Sequence, residues 1–447
     1  MEEIKDFDVV KELLETKQYT GLRQKMAEMN TADIAVIMEE LEEEELLKIF
    51  RILPKSLAAD VFSYLEVDKQ QFIITSLSEK DAAGIINNLM ADDATDLLEE
   101  MPANVVKKLL ANASPDTRRD INHLLRYPED SAGSIMTVEY VDLKENMTVE
   151  DAIARIRKVG VDSETINICY VLDAKRTLVG TVALRYLLIS PPDAVIGEIM
   201  HENVIYINTL MDQEEVARQF QKYDFTAMPV VDNENRLVGI ITVDDIVDIL
   251  QEEATEDMEK MAAIVPSDKP YMKTGVFETY KKRMPWLLLL MISATFTGSI
   301  LTSFEDALAV CTALIAYIPM LMDTGGNCGS QSSVTVIRAL SLDELHFTDL
   351  FRVMWKEART AVLCGAALAA ACFLKILLVD RLLMGNESIS LLVNGVVCLT
   401  LCVTVILAKF VGCTLPLFAK RLGFDPGVMA SPFITTIVDA LSLLVYF

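Results

Sequence analysis

The sequence predicts a multidomain chain: an all-α superhelical N-terminal domain, an α/β domain made of a tandem repeat, a connecting helix, and an α-helical transmembrane domain with five spans. Three observations predict it. Residues 32–125 break into short amphipathic helices, residues 131–250 carry one strand–turn–strand–helix unit twice, and residues 284–447 hold five long apolar stretches.

The N-terminal helices fall at 32–39, 45–53, 57–65, 70–77, 79–90, 92–101, 104–111 and 115–125, with Pro, Asn, Ser or Asp at the breaks. Their apolar positions recur at helical spacing, and no nucleophile, base and orienting group fall together. An enzyme is not expected. The start, MEEIKDFDVV, has no basic segment followed by an apolar one, so no cleavable signal peptide is expected.

Charge divides the chain unevenly. Residues 284–447 hold 11 of the 66 acids and 9 of the 40 bases, which leaves 55 acids against 31 bases, a net charge of −24, in residues 1–283. An anionic half of this kind repels nucleic acid and attracts cations or basic partners. Of the eight cysteines only Cys169 precedes position 284, and none forms a CxxC pair; a reduced chain without structural zinc is expected. His123, His201 and His346 are scattered and do not read as metal ligands.

In the repeat, Ile135-Met136-Thr137 recurs as Ile199-Met200-His201, and the run from Val171-Leu172-Asp173 to Leu178-Val179-Gly180 recurs from Val230-Val231-Asp232 to Leu237-Val238-Gly239. A strand and helix follow each copy, at 181–188 and 240–250. The doublet resembles a tandem pair of CBS domains, which implies adenine-nucleotide binding or a dimerising regulatory module. Asp244, after Thr242, is an acid of the kind that holds a ribose; the first copy has Arg185 there.

Residues 251–283 connect the repeat to the apolar third. The acids Glu252, Glu253, Glu256, Asp257 and Glu259 share one helical face, and they follow Asp244, Asp245 and Asp248 without a basic complement. A solvated acidic helix is the plain alternative.

The five apolar stretches run at 285–303, 307–337, 358–379, 389–417 and 426–446, each near or above the ~20 residues a bilayer crossing takes. Lys281-Lys282-Arg283 precede the first, Arg352, Lys356 and Arg359 lie between the second and third, and Lys420-Arg421 between the fourth and fifth. The positive-inside rule then puts the N-terminus in the cytosol and the C-terminus outside. The second stretch contains Asp323-Thr-Gly325-Gly326-Asn327-Cys-Gly329-Ser-Gln331, too polar to face lipid, and the fifth contains Ser431, Thr435, Thr436 and Asp439. Ionisable groups at that depth mark an ion or proton path. The structural alternative for Asp439 is a bridge to Lys409 or Lys375; snorkelling accounts for either lysine but not for the short Asp439.

Taken in order, these parts resemble the MgtE family of Mg²⁺ channels over essentially the whole chain. The resemblance is carried by Tyr127-Pro-Glu-Asp-Ser131-Ala132-Gly133-Ser-Ile135-Met136-Thr137, the CBS pair, Thr242-Val-Asp244-Asp245-Ile-Val-Asp248, the Gly325–Gln331 motif and Asp425-Pro426 with Thr435-Thr436-x-x-Asp439. It implies a Mg²⁺-selective channel for Mg²⁺ uptake in the cell (inner) membrane, a homodimer with the pore on its twofold axis, and domains at 1–130 (Mg²⁺-sensing), 131–250 (CBS), 251–283 (plug helix) and 284–447 (pore). Asp439 is the implied pore acid, with Asn327, Ser431, Thr435 and Thr436 lining. The implied regulatory Mg²⁺ ligands are Asp92 and Asp96 (Asp93 by spacing as an alternative to Asp92), Asp212, Glu214, Asp224, Asp245 and Asp248, then Glu253, Glu256 and Asp257. ATP at the CBS pair is a further implied ligand. Ser442 stands where glycine is common. Two other readings stay open: a secondary transporter exchanging a divalent cation against Na⁺ or H⁺, with Asp439 and Lys409 relaying protons, and a membrane-anchored CBS nucleotide sensor, which would need neither the 325–331 motif nor Asp439.

Overall fold

A computed structural model describes residues 2–267, 271–272, 274–305, 309, 312–385, 390–429 and 431–447, with the backbone alone for residues 2–5, 56, 429 and 431. The chain forms two compact units, Met1–Leu250 and Gln251–Phe447.

The first unit opens with ten helices: α1 (Glu2–Glu15), α2 (Tyr19–Ala27), α3 (Thr31–Glu39), α4 (Glu43–Ile52), α5 (Lys55–Ser63), α6 (Val67–Ser76), α7 (Glu79–Ile86), α8 (Ala91–Glu99), α9 (Ala103–Asn112) and α10 (Pro115–Leu124). The sequence reading missed α1 and α2, although Phe7, Val10 and Leu14 of α1 and Leu22 and Met26 of α2 recur at helical spacing and pack into the core. Side-chain caps start several of the others. Asn30 accepts from the Ala32 amide, Ser78 from Asp81 and Ser114 from Thr117, each cap contributing about 1 kcal/mol. One continuous core, including Leu22, Ile34, Met38, Phe62, Ile73 and Leu97, joins the helices.

The repeat then folds as two three-stranded sheets, β1 (Tyr140–Lys144), β2 (Thr165–Leu172) and β3 (Leu178–Ala183), and β4 (Ile207–Asn208), β5 (Ala227–Val231) and β6 (Leu237–Thr242). In each the first two strands are parallel and the last two form an antiparallel hairpin. Between strands lie α11 (Val149–Val159), α12 (Leu184–Ile189), α13 (Ile196–Ile199) and α14 (Gln213–Tyr223). Both hairpins turn on the same device. Asp173 accepts from the amides of Lys175 and Thr177, and Asp232 from those of Glu234 and Arg236, while Arg176 (φ 68°) and Asn235 (φ 58°) take the left-handed conformation.

The copies also exchange parts. Met136 of the first lies against Gly239 of the second, and Met200 of the second against Gly180 of the first; a methyl on either glycine would meet the facing sulfur at 2.6 or 2.5 Å. Thr137 and Ile240 trade backbone hydrogen bonds, as do Thr181 and His201. The repeated Ile-Met and Leu-Val-Gly motifs are thus two halves of one crossed packing, which neither copy completes alone.

Helix α15 (Val243–Met261) runs without a break through residue 250, so the final helix of the repeat and the start of the connector are one element. In the second unit follow α16 (Val276–Ser303), α17 (Ile318–Ser341), α18 (Leu350–Lys375), continued as a π-helical stretch Ile376–Leu383, α19 (Leu391–Arg421) and α20 (Ser431–Tyr446). Three segments, Val276–Ser303, Phe347–Leu383 and Leu391–Arg421, are long and apolar enough to cross a membrane by length and composition. Helix α17 is too polar and α20 too short for that criterion, and both pack within the unit. Part of the expected second stretch, at 307–308 and 310–311, lies outside the described residues; from Ile318 that stretch is a regular helix, begun by Pro319 in its first turn.

Candidate functional site

Helix α17 has two faces of different chemistry. Gly325, Gly326, Cys328, Gly329, Ser332 and Ser333 are buried. Small side chains there let neighbours approach until backbone touches backbone: a methyl on Gly412 of α19 would strike the Gly329 carbonyl, and one on Gly326 would meet Thr435 of α20 at 3.0 Å. On the other face Asp323, Asn327 and Gln331, at i, i+4 and i+8, are exposed in the protomer. The long hydrocarbon helices around this polar row do not cover it.

Helix α20 runs antiparallel to α17, with Gly329 beside Ile434, Gly326 beside Thr435, and Gly325 beside Val438 and Ser442. Asp439, Thr435 and Thr436 are half-buried. The two threonine hydroxyls donate to the Pro432 carbonyl (2.9 and 3.1 Å), so their oxygens stay available to accept hydrogen bonds from the water of a hydrated ion. The side chain of Ser431 lies outside the described residues. Ser442 is buried, donates to the Val438 carbonyl at 2.6 Å and packs on Gly325. Its oxygen fits the space left by that glycine.

Neither lysine bridges Asp439. Lys409, 5% exposed, pairs with Glu357 of α18 (3.6 Å) and donates to Ser332 of α17 (3.1 Å), whose hydroxyl donates to Glu357 (2.7 Å). Lys375 pairs with Asp380 (2.8 Å). The structural-bridge reading of Asp439 therefore fails, and the proton relay from Asp439 to Lys409 loses its second member. Glu357 was not among the sequence-based candidates, because it sits in the run Trp355-Lys356-Glu357-Ala-Arg359 that reads as an interfacial turn.

Outside the membrane segment, the first unit gathers acids from the helical domain and both repeats. Burial, the neighbouring Asp93 and then Asp245 hold the Asp92 carboxyl well above its usual range. Asp93 still touches solvent, but protein surrounds it on most sides, and burial with Asp245 and Asp244 pushes it up to about 6. Burial likewise takes Asp245 to about 6, against a hydrogen bond from Thr242 (2.9 Å) and with Asp244 adding. Glu164 rises to about 7 through burial, Asp244 and Asp245. Carboxylates that crowd without a base are hard-oxygen donors suited to Mg²⁺ or Ca²⁺. Among the described residues, no three of them are set at ligating geometry.

The remaining expected ligands do local work. Asp212 caps α14, accepting from the Glu214 amide, Glu214 pairs with Arg218 (2.5 Å), and Asp224 ends that helix in the left-handed conformation. Asp96 and Glu253 lie on exposed and half-buried positions of α8 and α15. In the second unit the connector does have a basic complement. Lys260 bridges Glu256 (2.5 Å) and Asp425 (2.7 Å); burial opposes its charge, but the two carboxylates overcome that and raise its pKa. Asp257 accepts from Ser341 at the end of α17 (3.1 Å), burial raising its carboxyl against that bond.

Comparison with known proteins covers nearly all of the chain. The family model for MgtE, a divalent cation transporter, matches residues 318–447, that for the MgtE intracellular N domain matches 29–130, and that for the CBS domain matches 196–252. The magnesium transporter MgtE of Thermus thermophilus is 38% identical over 441 residues, 98% of this chain and 96% of its own. That of Bacillus subtilis is 35% identical over 436 residues, 97% of this chain and 94% of its own. Among solved structures, the cytosolic domain of the Mg²⁺ channel MgtE in complex with ATP shares 39% identity with a TM-score of 0.52, covering 54% of this chain and 98% of that one. The soluble part of a magnesium transporter shares 31% identity with a TM-score of 0.54, covering 56% and 99%.

Proposed function

The chain belongs to the MgtE family of divalent cation transporters, which are transport proteins and not enzymes, and on that premise we propose that it is a Mg²⁺ channel closed by Mg²⁺ bound to its acidic half. It is a membrane protein with an intracellular N domain and helical spans. Our reading adds the inner membrane, a C-terminus outside, and a homodimer whose twofold axis carries the pore.

One observation carries the reading: the uncovered polar row of α17 beside Asp439 and Thr435 of α20. Lipid cannot satisfy it, so it needs water, a second copy, or both. Two copies about an axis supply a wet, acid-lined path and give each Asp439 a facing partner. Mg²⁺ sheds water reluctantly, and hydroxyl and carboxylate acceptors at Asn327, Ser431, Thr435, Thr436 and Asp439 suit its hydrate. The test is Mg²⁺ flux into liposomes holding the purified protein, with no Na⁺ or H⁺ gradient. Wild-type protein should pass Mg²⁺, and Asp439→Ala should stop it while remaining a dimer. Flux that requires a counter-ion gradient would favour exchange; wild-type flux in Asp439→Ala would remove Asp439 from the path.

For regulation, the domains at 1–130 and 131–250 are the proposed sensor and residues 251–283 the plug. Mg²⁺ shared among Asp92 or Asp93, Asp96, Asp245 and Asp248 would draw the anionic half together, and Asp212, Glu214, Asp224, Glu253, Glu256 and Asp257 are the further proposed ligands. A ligand shifts such an equilibrium only by its stronger binding to one state, and shared carboxylates supply that difference. ATP is a second proposed ligand, at the CBS pair; near Asp244 it would enter with its own Mg²⁺, because the surrounding carboxylates repel a bare triphosphate.

A further inference from the structure

We infer that Asp323 is a second carboxylate of the cation path, set level with Asp439, and that it helps fix the affinity for a hydrated divalent cation. The inference rests on the pore reading above and deepens it. Asp323 is one turn above Asn327 on the uncovered face of α17. The antiparallel register that puts Gly326 on Thr435 and Gly325 on Val438 and Ser442 carries Asp323 to the turn of α20 that holds Asp439. Among the described residues no base is paired with either acid: Lys409 belongs to Glu357 and Lys375 to Asp380.

The two acids differ in setting. Asp439 is half-buried, whereas Asp323 is exposed in the protomer. An exposed carboxylate beside a half-buried one attracts the ion and shares its charge without stripping its water. The attraction scales with ionic charge, so a second carboxylate favours a divalent over a monovalent cation. A solvated aspartate with no part in the path would be silent when neutralised.

The experiment uses the full-length protein in liposomes, with Mg²⁺ and Na⁺ flux measured across a range of Mg²⁺ concentrations. Asp323→Asn should raise the Mg²⁺ concentration for half-maximal flux about tenfold, the effect of losing one charge-assisted contact, and should weaken the preference for Mg²⁺ over Na⁺. Asp323→Glu should restore most of both. Asp439→Asn separates the two readings. If it stops flux while Asp323→Asn leaves affinity and preference unchanged, the inference about Asp323 is wrong and the pore stands. Wild-type flux in Asp439→Asn would bring down the pore reading itself. Should Asp323→Asn fail to fold, Asp323→Cys answers in its place: a charged, water-soluble thiol reagent should label it faster than it labels the wild-type cysteines, and Mg²⁺ should slow that labelling. Labelling no faster than wild type overturns the inference.

Discussion

The two units handle charge in opposite ways. In the membrane unit Lys409 is held between Glu357 and Ser332, and Lys375 meets Asp380, so each intramembrane base has its acid within the protomer. In the first unit Asp92, Asp93, Glu164 and Asp245 face one another, and their carboxyls are driven upward. Internal pairing makes a joint between helices that solution conditions barely touch. Crowding without a counter-charge makes a surface whose energy depends on what solution supplies. Asp323 and Asp439 stand apart from both, since Lys409 is held by Glu357 and Lys375 by Asp380.

The largest effect should come from breaking the internal pairing. Glu357→Gln or Lys409→Met alone strands a buried charge and should destabilise the membrane unit by about 3–5 kcal/mol. The double variant should recover most of that loss. Thermal unfolding of the detergent-solubilised protein checks it; three equally unstable variants would mean that Ser332 and the glycine contacts, not the ion pair, hold the joint.

An intermediate effect should sharpen the other side. Burial and mutual repulsion push the crowded carboxyls up to about 6 to 7, above the ordinary range of free Asp and Glu. The folded form therefore binds protons more tightly than the unfolded one in this window, and without Mg²⁺ stability should rise as pH falls from 8 to 5. Mg²⁺ needs the ionised carboxylates, so its stabilisation should be greatest at pH 8 and largely gone by pH 5. Melting curves of the cytosolic half with MgCl₂, and with KCl at equal ionic strength, read this out. Equal protection by KCl, or a Mg²⁺ shift that ignores pH, would dissolve the contrast.

The smallest effect belongs to Lys260, partly exposed and midway between the two regimes. Lys260→Met should cost less than about 1 kcal/mol of stability, visible as a small shift in melting temperature. A loss as large as that of Lys409→Met would place the connector among the tightly paired elements.

Much of this was legible in sequence because it is local or periodic. The eight amphipathic helices, the repeat with its Asp-centred turns, and the apolar stretches all announce themselves within a short window. The crossed packing of Met136 on Gly239 and Met200 on Gly180 was visible only as repeated words, since nothing local says which copy each methionine meets. The partners of Lys409 and Lys260 were missed for a related reason. Glu357 and Asp425 are far away along the chain, and an acid among other charged residues resembles solvated charge until the fold closes over it. The polar row of α17 is itself periodic, with Asp323, Asn327 and Gln331 at intervals of four, but the glycines between them mask it by reading as irregular backbone.

Helix α17 is keyed like a shaft, with glycine on the side that enters the protein and amide or carboxylate on the side that does not. Each residue advances an α-helix by about 100° of rotation. One residue inserted just before Gly325 would leave Asp323 where it is and turn the glycines out of their slot against α19 and α20, so that larger side chains had to enter it. Composition and hydropathy would hardly register the change. In this stretch the spacing of residues is under tighter constraint than most of their identities, and a single-residue insertion or deletion is a graver lesion than many substitutions.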